Sequence, residues 1–362
     1  MTKTCFLILE DGTEFKGRSF GYETDVCGEI VFNTSMSGYQ EILTDPSCSG
    51  QIITMTYPLI GNYGVIAEDA ESTKVHASGL VAKEYSKTYS NFRAAMSLSD
   101  YLVQAKTPSI EGIDTRKLTK IISSKGTMRA GIFFDKKNAV ERLQAHPQMA
   151  GLDLASEVSC TEPYIFCQKD NACRVAVFDL GVKTSILRLL DKAGFSVKVY
   201  PAKTSLSQAL DDGAEAVFLS NGPGDPEAAT YAIGLAKDIL KKRIPMFGVC
   251  LGHQIIGLAL GGKTYKLKFG HRGANQPVKK SRTGCVEIPY QNHGFAVDYD
   301  SIKNINDIEL THINLNDNTV EGLRHKELPV MSVQYHPQAS LGPNDSSYLF
   351  EQFYKMATER RQ

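Results

Sequence analysis

Apolar positions in the first half of the chain come in short runs separated by glycine, proline and charge. Residues 5–10, 30–34 and 52–56 are rich in Ile, Val, Phe and Thr and predict strands. Segments 91–105 and 115–124 predict helices. Within 112–122, Leu118, Ile121 and Ile122 fall on one face, and Asp114 or Thr115 is placed to cap the N-terminus. Gly126 and Gly131 bracket a further strand that runs through Ile132 and Phe133. Polar, proline-containing sequence then extends from His146-Pro147 past Pro163 to Cys173. It divides the chain into an N-terminal domain over 1–150, a linker over 151–172 and a C-terminal domain over 173–362.

The rhythm changes at Arg174. Residues 174–181 read as a buried strand ending in glycine, 183–193 as a helix through Ile186, Leu189 and Leu190, and 195–200 as a second strand. A short helix precedes the strand 216–220, which runs into the loop Asn221-Gly-Pro-Gly-Asp-Pro226. A helix over 228–242 and a strand over 245–250 follow. The sequence after Gly262 is strand-rich, and a helix from about 346 to 358 closes it. Strands and helices alternating at this spacing predict an α/β fold with a doubly wound parallel sheet. Ligands of such sheets bind at the C-terminal strand ends, here the loops after Ser220 and at Cys250.

Composition narrows the class. The 362 residues are 42% apolar and 22% charged, which is globular and long enough for two domains. Forty basic residues balance forty acidic ones, which disfavours binding to nucleic acid or an anionic membrane surface. The apolar run Cys5–Leu9 is too short for a signal peptide, and no run approaches the roughly 18 residues of a membrane span. Eight cysteines without a C-x-x-C pair argue against a disulfide scaffold. Cys160, Cys167 and Cys173 cluster loosely but lack a zinc-type pairing, so no metal is expected. A cytoplasmic location is the simplest reading.

Gly248-Val-Cys250-Leu-Gly252 sits between an apolar strand and a helix starting near Leu251. This is the nucleophile-elbow pattern with cysteine in place of serine. The turn is too tight for side chains at the flanking positions, and glycine meets that need. The positive end of the following helix favours thiolate over thiol, and its free N–H groups, from Leu251 on, can stabilise an oxyanion. The plainer alternative is a structural cysteine at a strand end. A thiolate nucleophile usually needs a histidine. His253, in the first helical turn, reads as a packing residue; His271 and His293 lie near glycines. His336 is the best candidate, because it ends the strand 330–335 and precedes Pro337.

One string is a decoy. Gly257-Leu-Ala-Leu-Gly-Gly-Lys-Thr264 fits the phosphate-loop pattern, which requires a strand before it and a helix after it. Here a helix enters and a strand leaves, so Gly261-Gly262 is read as a helix stop.

Gly248-Val-Cys-Leu-Gly-His-Gln254, Asn221-Gly-Pro-Gly-Asp-Pro226 and Tyr335-His-Pro337 together resemble the class I glutamine amidotransferases. Asn33-Thr-Ser-Met-Ser-Gly-Tyr-Gln-Glu-Ile-Leu-Thr-Asp-Pro-Ser47, Thr56-Tyr-Pro58, Gly112-Ile-Asp-Thr-Arg116, Lys268-Phe-Gly-His271 and Gln291-Asn-His-Gly-Phe295 resemble the small subunits of the carbamoyl phosphate synthetases. The resemblance spans nearly the whole chain. It implies a small α/β N-terminal domain that docks on a large subunit and a flavodoxin-like C-terminal glutaminase domain. It implies that L-glutamine is hydrolysed here, and that ammonia passes to the large subunit for synthesis of carbamoyl phosphate from bicarbonate, for arginine and pyrimidines. No cofactor is expected on this chain, since ATP and Mg²⁺ belong to the large subunit. The expected assembly is a higher oligomer of heterodimers.

By motif, the resemblance makes Cys250 the nucleophile and His336 the base. Gly222, Gly224, Leu251, Gln254, Asn292, Gly294 and Phe295 would contact glutamine, as would Ser47 from the first domain. That would place the site between the domains. The family's His-Pro-Glu reads His336-Pro337-Gln338 here. Two residues apart in extended chain, position 338 can face the same side as His336. Gln338 is expected to orient the ring, with Oε1 accepting from Nδ1–H. The rivals are the glutaminase of another amidotransferase, such as anthranilate or GMP synthase, and a non-catalytic subunit that kept the fold.

Overall fold

The computed structural model describes residues 3–338 and 345–359. The chain forms two compact units, residues 1–150 with Lys268–Gly273, and residues 151–267 with 274–362.

In the first unit seven strands close into a barrel. Around it run Thr4–Leu9, Glu14–Ser19, Ser109–Glu111, Gly79–Val81, Gln51–Met55, Val26–Asn33 and Met128–Phe133, which pairs back with Thr4–Leu9. Glu14–Ser19 shows the governing period of two: Phe15, Gly17 and Ser19 are buried, while their neighbours are exposed. Gly17 is required by close approach, because a Cβ there would lie 2.4 Å from the carbonyl oxygen of Glu111. Leu7, Ile30, Ile52, Val81 and Ile110 fill one core with Leu118 and Ile122 of helix Thr115–Lys125. Asp114 is that helix's cap, its carboxylate accepting from Lys117 N–H at 2.8 Å. The helix expected over 91–105 begins only at Leu98. Ser97 caps it, and Ala95 and Met96 instead make backbone hydrogen bonds with Val65. The six residues of the excursion belong here by contact: Phe269 stacks on Phe32 with centroids 5.8 Å apart, and Lys268 and Arg272 carbonyls accept from Thr127 and Thr34.

The second unit is built on a ten-stranded sheet. Ser196–Pro201, Arg174–Asp179, Ala216–Leu219, Met246–Val249 and Val330–Val333 run parallel as its centre. The sequence reading of a parallel sheet holds for this centre only; Val320–His325, Ile308–Asn314, Val278–Lys280 and Val286–Glu287 extend it antiparallel. Both faces are covered, which explains the near-continuous apolar runs. Val175, Val177, Phe218 and Phe247 pack with Ile186 and Leu190 of helix Thr184–Ala193 and with Phe350 and Phe353 of helix Tyr348–Thr358. Ala176, Phe178, Val217 and Leu219 face helices Leu206–Asp211, Thr230–Lys242 and Leu251–Ala259.

Residues 151–172, expected as a linker, are part of this unit. Tyr164–Cys167 forms an edge strand against Ser196–Pro201. Tyr231 donates to Asp153 at 2.9 Å, and Cys160 N–H donates to Asp179 at 2.7 Å. The proline and polar residues that suggested a boundary therefore mark an edge strand and its turns, where proline is tolerated. Among the described residues no helix is long and apolar enough to cross a membrane.

Candidate active site

The second unit places Cys250 between strand Met246–Val249 and helix Leu251–Ala259 with φ 56° and ψ −105°. A non-glycine residue rarely adopts such a backbone, and it costs on the order of 1–3 kcal/mol. The flanking glycines are what make the turn possible. A Cβ on Gly248 would lie 2.6 Å from the Gly252 backbone, and one on Gly252 would lie 2.1 Å from Leu219 O. Cys250 itself is anchored: its backbone N–H donates to Val333 O at 2.9 Å, and Sγ lies 3.8 Å from Asn292 O. Leu251 is the first residue of the helix, so its N–H has no intrahelical acceptor.

The loop after strand Ala216–Leu219 is pinned below. Asn221 donates from Nδ2 to Gly181 O at 2.8 Å, and Ser220 Oγ donates to Asn221 O at 2.8 Å. Gly222 is a close approach, since a Cβ would sit 2.0 Å from Leu180 O. Gly224 has φ +94°, and a Cβ there would meet Leu152 O at 2.7 Å. The segment 151–154 thus shapes this loop, with Asp225 accepting from Gly151 N–H at 2.9 Å.

His336 is fully buried, and its backbone N–H donates to Tyr290 O at 2.8 Å. Gln338, also buried, brings its side-chain amide 2.9 Å from the ring Nδ1. The sequence reading had Oε1 make this contact. Nε2 makes it instead, and Oε1 has no partner among the described residues. A half-turn of the terminal group exchanges donor and acceptor at the same distance, so the contact with Nδ1 is kept with either end toward the ring.

Asn292, Gly294 and Phe295 lie on strand Gln291–Val297, which brings Asn292 to Cys250. Gln254 is not free to swing: its Nε2 donates to Phe295 O at 2.8 Å and to Gln334 Oε1 at 3.1 Å. His293 is also committed, bonding Phe295 O and Gln291 Oε1 at 2.8 Å each. His253 packs with Nδ1 2.9 Å from Ser332 Oγ; burial and nearby His312 push it down to about 3, so it stays neutral. Ser47 belongs to the first unit, in the turn Pro46–Cys48, where its N–H donates to Asp45 Oδ1 at 2.9 Å. The phosphate-loop string is a helix C-terminus, with Gly261 at φ +95° and a strand beginning at Thr264.

Lys183 was not foreseen. It is 1% exposed, with Nζ 5.2 Å from the centroid of the Tyr290 ring, and Tyr290 bridges to His336. Its only signal in the sequence is a lysine directly behind a buried strand's glycine turn, which is also where an exposed helix cap would stand.

Comparison with known proteins agrees with this architecture. Residues 7–132 match the family model of the carbamoyl-phosphate synthase small chain, CPSase domain, and 176–356 match glutamine amidotransferase class-I. The carbamoyl phosphate synthase small chain of Aquifex aeolicus is 51% identical over 99% of this chain and 100% of its own. That of Syntrophotalea carbinolica is 50% identical over 99% of both, and that of Chlorobaculum tepidum 50% over 97% of both. The chain belongs to the carbamoyl phosphate synthase small-chain family and carries a class I glutamine amidotransferase domain in its second half.

Proposed function

We propose that the chain is the glutaminase of a two-subunit carbamoyl phosphate synthase, with Cys250 as nucleophile and His336 as its proton carrier. The observation that carries this is the strained Cys250 backbone at the head of a helix. Such strain persists where it serves a site. The thiolate adds to the side-chain carbonyl carbon of glutamine. The oxyanion that forms is held by N–H groups at Leu251 and in the Gly222–Gly224 loop. The C–N bond then breaks, ammonia leaves with a proton from His336, and a glutamyl thioester remains. Water attacks the thioester while His336 takes its proton, releasing glutamate and the thiol. Asn292, Gly294, Phe295 and Gln254 border the substrate, and Ser47 is proposed as a further contact. Gln338 is a positioning residue for the His336 ring.

Ammonia then passes to a large subunit, whose ATP and Mg²⁺ drive its condensation with bicarbonate, for arginine and pyrimidine synthesis in the cytoplasm. The docking half of this chain is the first unit, and no cofactor is assigned to either unit. The test uses the complex with the large subunit. Cys250→Ser should abolish glutamine-dependent carbamoyl phosphate synthesis and leave ammonia-dependent synthesis intact. Glutamine-dependent synthesis that survives the change refutes the assignment. A second reading, a non-catalytic subunit, is favoured only by the neutral Gln338; covalent capture of Cys250 by a glutamine-like electrophile excludes it.

A further inference from the structure

A cleft of about 490 Å³ opens in the second unit, between helix Tyr348–Thr358 and the antiparallel strands Ile308–Asn314 and Val320–His325. We propose that it binds a small phosphoryl anion, gripped by Arg282 and Arg324 over a floor that includes His312.

The charges of the cleft are unevenly satisfied. Lys280 is held by Glu287 at 2.6 Å and lies 4.0 Å from the centroid of the Tyr348 ring. Lys355 pairs with Glu359 at 3.6 Å. Arg282 and Arg324 make no ion pair among the described residues, although Glu309 faces Arg324 across the strands. Another cavity of the same unit, of about 680 Å³, is different. There Lys198 meets Asp212 at 2.6 Å and Arg174 meets Glu215 at 4.0 Å, so its basic groups are answered from within. Unpaired guanidiniums facing one space are suited to bidentate contact with an oxyanion. The volume exceeds what one phosphate needs and lies in the range of small-metabolite sites.

His312 is the independent observation. It lines the cleft, is 6% exposed, and has Nδ1 2.9 Å from Thr311 Oγ1. Its Nε2 has no partner among the described residues, which is unusual for a buried nitrogen. Burial and the charge of Lys280 push the imidazole down to about 4. It is therefore neutral at pH 7, and with the Thr311 hydroxyl donating to Nδ1 it offers an Nε2–H donor. The Nε2 atom itself is closed off from solvent, as is Nε2 of His253, so an anion in the cleft would act on the ring through its charge and favour the protonated form. Lys280 acts on the ring directly, and the other charged groups lining the same cleft are Arg282, Arg324 and Lys355, against Glu309 and Glu359. Behind it lies neutral His253.

The full-length chain is titrated calorimetrically with inorganic phosphate, pyrophosphate and glycerol 3-phosphate, at low ionic strength and with chloride as reference. Saturable binding is expected, weakened at least tenfold by Arg282→Met with Arg324→Met, and unchanged by Lys241→Met with Lys242→Met on another helix. The imidazole resonance that disappears in His312→Gln should shift downfield on saturation. Tighter binding of glycerol 3-phosphate than of phosphate marks an ester metabolite; the reverse order marks free phosphate. Absence of saturation, equal binding by the double arginine variant, or equal loss in the lysine control overturns the proposal. Arg282 and Arg324 are exposed, so the variant should keep the wild-type unfolding midpoint; Arg324→Lys, which retains charge but not the fork, should bind with intermediate strength.

Discussion

The side-chain amide of Gln338 stands 2.9 Å from Nδ1 of His336. A carboxylate at that place could only accept; it would fix a proton on Nδ1 and stabilise the imidazolium when it forms. An amide serves either ring form by turning over, and favours neither strongly. Gln338→Glu should therefore raise the pH at which His336 charges and shift the acid limb of glutamine hydrolysis upward. Turnover should rise several-fold. Gln338→Met, which removes the contact, should lower turnover by about 10-fold or more, an estimate tempered from the larger loss seen when a triad's orienting group is altered. A pH–rate profile for the three forms decides; identical profiles exclude a positioning role.

The elbow predicts an unusual ordering of stabilities. Cys250→Gly relieves a positive φ that Cys250→Ala retains. Denaturant unfolding should find the glycine variant about 1 kcal/mol more stable than the alanine variant. At an ordinary helix start the ordering would be the opposite or flat.

Acid should destabilise the second unit before its carboxylates titrate. His312 is held at about 4 and His253 at about 3, both mainly by burial, against 6.5 for the free group. The unfolded chain thus binds protons that the folded chain refuses, so stability is complete above pH 6.5 and falls as pH drops toward 4. At about 1.4 kcal/mol per pH unit and per proton, each histidine removes on the order of 3 kcal/mol over that span. His312→Gln should lessen the slope between pH 6 and 4.5 by about one proton.

The cap on helix Thr115–Lys125 is a local test in the first unit. Asp114→Ala removes the acceptor for Lys117 N–H and should cost about 1 kcal/mol, measured by thermal unfolding, while Asp114→Asn should cost less.

Some of this was legible in the residues because its causes are local. Gly248 and Gly252 follow from the tightness of one turn, and the helix cap from one side chain, although sequence left Asp114 and Thr115 open. Other features depend on distant partners. Ring closure of the first unit rests on pairing between Thr4–Leu9 and Met128–Phe133, and no pattern within either strand specifies it. Residues 91–97 lost their helix to a pairing with Val65. Lys183 was invisible because burying a lysine depends on a ring, Tyr290, more than a hundred positions away. The amide orientation at Gln338 could not be read either, since sequence gives the group and not its rotation.

The six residues Lys268–Gly273 have a consequence for inheritance. Many two-part enzymes can be severed into separate genes at one codon between their domains. Here a gene ending after residue 150 would encode a barrel without Phe269 to cover Phe32, and without the carbonyls that receive Thr127 and Thr34. The missing stretch would be carried by the other product instead. Shuffling, fission or swapping of either half is thereby penalised, and the two parts are bound to travel through evolution as one reading frame.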